Sequence, residues 1–205
     1  MLSSITPLGE RGRNNRWWLT AAAYVTGSIA GGAAMGATLG ALGGLARWTI
    51  PRTDTLDGRV PLALLAAVAL LGFLADLRVA WLRVPTMNRQ VDERWLNTYR
   101  GWVYGVGYGF QLGLGVVTIV TSAATWVTLA AAFLTGSWGG GLVIGTAFGA
   151  VRSLPLFLAS PARSPGALRE LLLRHQRWAA PARLAAIGGQ CLVGVLALLT
   201  LMVVP

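Results

Sequence analysis

The sequence predicts an all-α protein, a polytopic integral membrane bundle of transmembrane helices. Of its 205 residues, 55% are hydrophobic and only 12% are charged, whereas a soluble domain carries about 25% charged residues. The apolar residues also form long unbroken runs, and about 20 such residues suffice to cross a bilayer. We therefore expect a single membrane domain over residues 1–205, with about five spans and no separate soluble domain.

The predicted spans cover residues 17–45, 60–82, 102–135, 141–160 and 184–204. Trp17 and Trp18 begin the first span, as aromatic residues do at a membrane interface. This span is longer than a bilayer requires, which predicts either strong tilt or a break near Gly31 and Gly32. A break there would raise the number of helices from five to six.

Glycine recurs every fourth residue in the first, third and fourth spans. On a helix this spacing places the glycines on one face, where another backbone can approach closely, as in a glycine zipper. An alternative is a hinge or discontinuous helix around a central site, and the likeness of the first and third spans is compatible with an inverted repeat. The predicted helix-packing glycines are Gly32, Gly36, Gly40, Gly101, Gly105, Gly109, Gly113, Gly145 and Gly149.

The charge distribution predicts an orientation. All 17 basic residues are arginine, and the net charge is +10. If the N-terminus lies inside, the three inner segments hold twelve arginines and the outer segments only three. The positive-inside rule then places the N-terminus in the cytoplasm and the C-terminus outside, in the inner membrane of a bacterium. The expected partners of these arginines are anionic lipid headgroups and not nucleic acid.

Four polar residues inside the spans fall at a similar depth, roughly 9–14 Å from the inner boundary at 1.5 Å per residue. They are Asp76, Gln111, Arg152 and Gln190. A charge within a span is costly and is usually paired in the interior, so Asp76 with Arg152 is one interpretation. In the other, Arg152 reaches the inner headgroups while Asp76 pairs with Arg78 or Arg83. The four are the candidate substrate-binding residues.

Nothing in the sequence predicts catalysis. A Ser/His/Asp set, a phosphate-binding loop and a metal-ligand spacing are all missing from it. Cys191 and His175 are the only residues of their kinds, so neither a disulfide within the chain nor a Cys/His metal site is expected. We expect His175 to be solvated, and we expect no catalytic residue, no metal, no cofactor and no enzyme activity.

Two motifs carry a family resemblance. The segment Tyr104-Gly105-Val106-Gly107-Tyr108-Gly109-Phe110 alternates glycine with aromatic residues, and Gly145-Thr146-Ala147-Phe148-Gly149 runs on to a Leu-Pro-Leu-Phe-Leu segment at 154–158. They resemble the fourth and fifth helices of the thiol–disulfide electron carriers of cytochrome c maturation, the DsbD/CcdA type. The resemblance implies a related helical fold, in a superfamily that includes small-solute exporters.

The redox cysteines of that family have no counterpart here. The corresponding positions fall near 33–35 and 111–113, which contain neither cysteine nor proline, and Cys191 lies in the last span. Thiol exchange needs both an attacking and a resolving thiol. If the fold is shared, this chemistry is therefore not expected of the chain.

The leading functional hypothesis is transport or binding of a small solute through the polar layer of a glycine-rich bundle. Five spans in 205 residues leave little volume for a solute pathway within one chain. We therefore expect a homo-oligomer or a partner membrane subunit. Two alternatives stand beside it. One is a non-catalytic membrane subunit or anchor of a larger complex. The other is a redox-family member that relies on a partner's thiols or on a bound cofactor such as haem or quinone.

Overall fold

A computed structural model describes residues 5–49, 59–77, 84–86 and 94–203. Its helices are α1 (Pro7–Gly12), α2 (Trp17–Thr49), α3 (Arg59–Asp76), α4 (Trp95–Thr98), α5 (Gly101–Leu114), α6 (Ala124–Leu134), α7 (Trp138–Ser153), α8 (Pro155–Leu158) and α9 (Pro165–Val203). Among the described residues no strand forms, so the all-helical prediction is confirmed. Within the described residues, four helical stretches are long and apolar enough to cross a membrane: α2, α3, α7 with α8, and α9.

The first predicted span is one unbroken helix. α2 continues from Trp17 to Thr49 without interruption at Gly31 or Gly32. A side chain at Gly31 would lie against the carbonyl group of Phe110. Glycine therefore permits a close approach between backbones here and does not end the helix, so the predicted break does not occur.

The third predicted span is divided into two shorter helices. α5 ends at Leu114, where Gly115 adopts a φ of 79° and donates its N–H to the carbonyl oxygen of Leu112. This left-handed conformation favours glycine. The next six residues, 116–121, are all β-branched and have low helix propensity. Helix α6 begins only at Ala124 and contains 11 residues.

The other boundaries also differ from the prediction. The fifth predicted span, 184–204, belongs to a longer helix, because α9 begins at Pro165 and continues through Pro181 to Val203. The fourth span begins earlier than predicted, at Trp138. Within it, α7 ends at Ser153 and Pro155 starts the short α8. Residues 78–82 at the end of the second predicted span lie outside the described residues.

The chain forms two compact units. The first comprises the described residues of 1–34, 87–119 and 146–179, and the second those of 35–86, 120–145 and 180–205. In the first unit the glycines of α5 bring it close to α2. A side chain at Gly105, Gly109 or Gly113 would meet the carbonyl oxygen of Thr20, Tyr24 or Ser28, respectively.

In the second unit the same kind of contact joins the second half of α2 to the start of α7. A side chain at Gly36 would lie 2.8 Å from Cα of Gly145 and would also meet Gly141. A side chain at Gly40 would meet the carbonyl group of Ser137. Helix α3 packs along α6 and buries its small residues Ala66, Ala69 and Gly72.

Candidate functional site

A buried carboxylate, Asp76, lies at the end of α3 in the second unit and is only 6% exposed. It accepts hydrogen bonds from the Ser122 hydroxyl at 2.6 Å, from the Ala123 N–H at 3.0 Å and from Nε2 of Gln190 at 2.6 Å. The backbone carbonyl of Asp76 accepts from the guanidinium group of Arg183, at 3.0 Å for Nε. Asp76 thus accepts hydrogen bonds from the two residues that precede α6 and from α9.

The carboxylate of Asp76 occupies the N-terminus of α6. The N–H groups of a first helical turn have no partner within the helix, and the helix dipole favours a negative charge there. Asp76 accepts from Ala123, the N-cap residue, while the Ser122 hydroxyl oxygen accepts from the N–H of Ala124 at 3.1 Å. A side chain of α3 therefore caps α6, although the two segments are far apart in the sequence.

The opposite end of α6 has a basic partner. Nη2 of Arg47, at the end of α2, donates to the carbonyl oxygen of Leu134 at 2.6 Å. Gly136, with a φ of 59°, leaves room for the arginine, because a Cβ there would lie 2.7 Å from its Cζ. Charges of the favourable sign thus contact both ends of α6. The first predicted span ends at residue 45, so the sequence did not predict this role of Arg47.

The side chain of Gln190, which donates to Asp76, packs against Gly72 of α3. It is 2% exposed, and its Oε1 faces Gly72, where a Cβ would lie 3.0 Å from this oxygen. Within the described part of the chain, this Oε1 has no hydrogen-bond donor. Any side chain at position 72 would therefore press on the amide that binds Asp76.

Of the four predicted substrate-binding residues, the structure joins Asp76 and Gln190. Arg152 belongs to the first unit, donates to the Thr118 hydroxyl at 3.2 Å and lies 5.2 Å from the ring centre of Phe148. Gln111 is half-buried on α5. Asp76 is satisfied within its own unit without Arg152. The alternative partners Arg78 and Arg83, like the side chain of His175, lie outside the described residues.

The first unit contains a second buried carboxylate, which was not among the predicted site residues. Glu10 on α1 is fully buried and accepts from Nη2 of Arg13 at 2.8 Å, from the Thr20 hydroxyl at 2.8 Å and from the Tyr104 hydroxyl. Asn15 donates to the same Tyr104 oxygen at 3.3 Å. Burial alone would lower the pKa of Arg13, but its hydrogen bond to Glu10 and the negative charge there leave this pKa raised.

Gly101, at the start of α5, makes room for the Glu10 carboxylate. A Cβ at this position would lie 3.1 Å from Oε2 of Glu10 and would clash with the Thr20 hydroxyl. A local signal for α1 was present in the sequence, because Thr6 caps the helix by accepting from the N–H of Gly9 at 3.1 Å and Pro7 follows at the first helical position. That signal predicts a helix, but not the burial of Glu10.

Comparison with known proteins identifies three curated relatives, each named methylamine utilization protein MauF. The chain is 27% identical to that of Methylophilus methylotrophus over 157 residues, which cover 76% of this chain and 53% of the relative. It is 30% identical to that of Paracoccus versutus over 159 residues, 76% of this chain and 55% of the relative. It is 29% identical to the MauF of Methylorubrum extorquens over 157 residues, which cover 75% of this chain and 52% of the relative. This chain spans about half the length of these relatives.

No family model and no solved structure matches the chain. The three MauF matches overturn the resemblance to DsbD/CcdA-type carriers, since all share one different name. The motifs behind that resemblance are rich in glycine, and closely packed membrane helices of unrelated function share such composition. The prediction of small-solute transport is also wrong, because the three relatives are named for methylamine utilization. The two alternatives, a non-catalytic subunit and a redox-family member, fit these relatives no better.

Proposed function

We propose that this chain is an integral membrane protein that acts in methylamine utilization. The observation that carries the proposal is the match to MauF proteins of three organisms over 75–76% of this chain. The membrane location is supported by the four helical stretches in the described part of the chain that are long and apolar enough to cross a membrane. The cytoplasmic membrane of a bacterium is the proposed compartment.

We further propose that the contribution of the chain is not catalytic. Both buried carboxylates support this, because Glu10 and Asp76 are occupied by donors of the chain itself. A carboxylate so engaged holds two helices together and is not available to a substrate.

The domain organisation and the oligomeric state stay predictions. We expect the two units to make one membrane domain and the chain to form oligomers. Light scattering of the protein in detergent measures the oligomeric state.

Deletion of the gene is expected to stop growth on methylamine as the sole nitrogen source, while growth on ammonium stays unchanged. The measurement is the growth rate of the deletion strain on each source, with and without the gene restored on a plasmid. A plasmid that carries the Gly188→Ala variant serves as a control for a harmless substitution and is expected to restore growth as well as the unmodified gene, since a Cβ at Gly188 would meet no atom within 4 Å. Equal growth of the deletion and parent strains on methylamine would contradict the proposal.

The proposed topology has a cytoplasmic N-terminus, an external C-terminus and five crossings, with α5 and α6 together as the third. The arginine distribution supports it. In a Cys191→Ser background, single cysteines at Asn88 and Ser164 are expected to react with an impermeant maleimide only from the cytoplasmic side. A cysteine at Ser137 is expected to react only from outside. Reaction of the Ser137 cysteine from the cytoplasmic side would mean that the chain turns back between α5 and α6, leaving four crossings.

A further inference from the structure

A surface pocket of about 860 Å³ lies in the first unit, beside the Glu10 cluster. Three segments form its walls: α1, the beginning of α2, and the residues that follow α8. Each wall or its flanking turn supplies an arginine, and these are Arg11, Arg16 and Arg163. The pocket therefore collects arginines from two parts of the chain that are distant in sequence, with Arg11 and Arg16 near the N-terminus and Arg163 after α8.

These guanidinium groups have no carboxylate partner within the described part of the chain. The ion pairs found there are Arg13 with Glu10 and Arg174 with Glu170. Glu10, the acidic residue nearest to Arg11 in the sequence, is buried against Thr20 and Tyr104 and is not directed to the pocket arginines. The pocket thus has an uncompensated positive charge, which favours an anionic ligand.

The chemistry of the walls favours phosphate. Arginine presents a planar fork of N–H donors that matches phosphate oxygens with two parallel hydrogen bonds. Ser160 adds a hydroxyl donor to the lining. Trp17 also lines the pocket.

The walls are held in place before any ligand arrives. The N–H of Leu8 on α1 donates to the carbonyl oxygen of Ala162 at 3.2 Å, which joins α1 to the segment that carries Arg163. Glu10 fixes the other side of α1 through Thr20 of α2. A pocket with fixed walls loses less conformational freedom on binding than a flexible one.

We propose that this pocket binds a phosphate group, carried by an anionic phospholipid headgroup. Trp17 and Trp18 support the lipid as the carrier, because both line the pocket where the apolar α2 begins, and Trp18 is 61% exposed. Tryptophan at such a position is typical of the headgroup level of a membrane. Soluble phosphate would offer the same group to the arginines but would leave the tryptophans without an apolar contact.

The test measures the binding of short-chain phosphatidylglycerol to the purified full chain in neutral detergent, by native mass spectrometry. The pocket variant Arg11→Gln/Arg163→Gln is compared with Arg169→Gln/Arg177→Gln, a variant that removes the same charge from exposed arginines of α9. We expect the pocket variant to bind the lipid at least tenfold more weakly and the α9 variant to bind it within twofold of the unmodified chain. Phosphatidylcholine, which has no net charge, is expected to bind at least tenfold more weakly than phosphatidylglycerol.

Inorganic phosphate distinguishes the two sources of the group. If it leaves lipid binding unchanged, the carrier is the lipid headgroup, as proposed. If it competes with the lipid for the unmodified chain but has no effect on the pocket variant, the pocket binds phosphate and the soluble ion is its source. Equal losses in the pocket and α9 variants, or equal binding of the two lipids, would overturn the site.

Discussion

Replacing Asp76 with asparagine is expected to lower the free energy of unfolding by about 3 kcal/mol. The carboxylate accepts from Ser122, Ala123 and Gln190, whereas an asparagine amide has one oxygen and would turn its NH₂ group toward at least one of these donors. Each lost hydrogen bond to a charged group costs about 1.5–3 kcal/mol, and the negative charge at the N-terminus of α6 disappears as well. Unfolding of the purified protein in detergent measures the loss.

Double-mutant cycles show whether Asp76 interacts energetically with Gln190 but not with Arg47 at the other end of α6. Asp76→Asn and Gln190→Leu are expected to be coupled by about 0.5–3 kcal/mol, because each removes the same contact. Asp76→Asn and Arg47→Met are expected to add within about 0.5 kcal/mol, because α6 keeps the two about 16 Å apart. Additive losses for Asp76 and Gln190 would show that the 2.6 Å contact contributes nothing to stability.

Local composition predicted the helical class but not the ends of α6. Hydropathy is a property of each segment, so the apolar runs of α2, α3 and α9 could be recognised from sequence. The N-terminus of α6 is capped by Asp76, which lies far away in the chain. A run of β-branched residues is only a weak signal inside an apolar stretch, since tertiary contacts override propensity. The sequence therefore predicted one span over 102–135 where the structure has two helices.

The sequence could predict how deep a candidate site residue lies along its helix, but not the other residues that it contacts. Depth along each helix grouped Asp76 with Gln190, and the structure joins these two. Depth carries no information about which face a side chain occupies, so the same argument also grouped Gln111 and Arg152 with them. Glu10 was missed because a single acid in a polar segment resembles a solvated residue. Its partner Tyr104 is 94 positions away.

Replacing Gly109 with alanine is expected to lower the free energy of unfolding by about 1–3 kcal/mol, and leucine is expected to cost more. The added Cβ would lie 2.8 Å from the carbonyl carbon of Tyr24 and 2.9 Å from the backbone nitrogen of Ser28. Backbone atoms cannot rotate away as the tip of a side chain can. Helices α2 and α5 would therefore have to separate along their contact, which weakens the packing of the neighbouring residues. Thermal unfolding in detergent measures the effect.

Gly188→Ala on α9 is the matched control, because it is the same substitution in a helix with no atom within 4 Å of the new Cβ. Alanine is the better helix former by about 1 kcal/mol, so this variant is expected to be as stable as the parent or slightly more stable. The two substitutions are thus expected to change stability in opposite directions, which separates the contact between helices from helix propensity. A stabilising Gly109→Ala would mean that α5 and α2 do not approach closely at Tyr24, and the glycine spacing of α5 would then need another explanation.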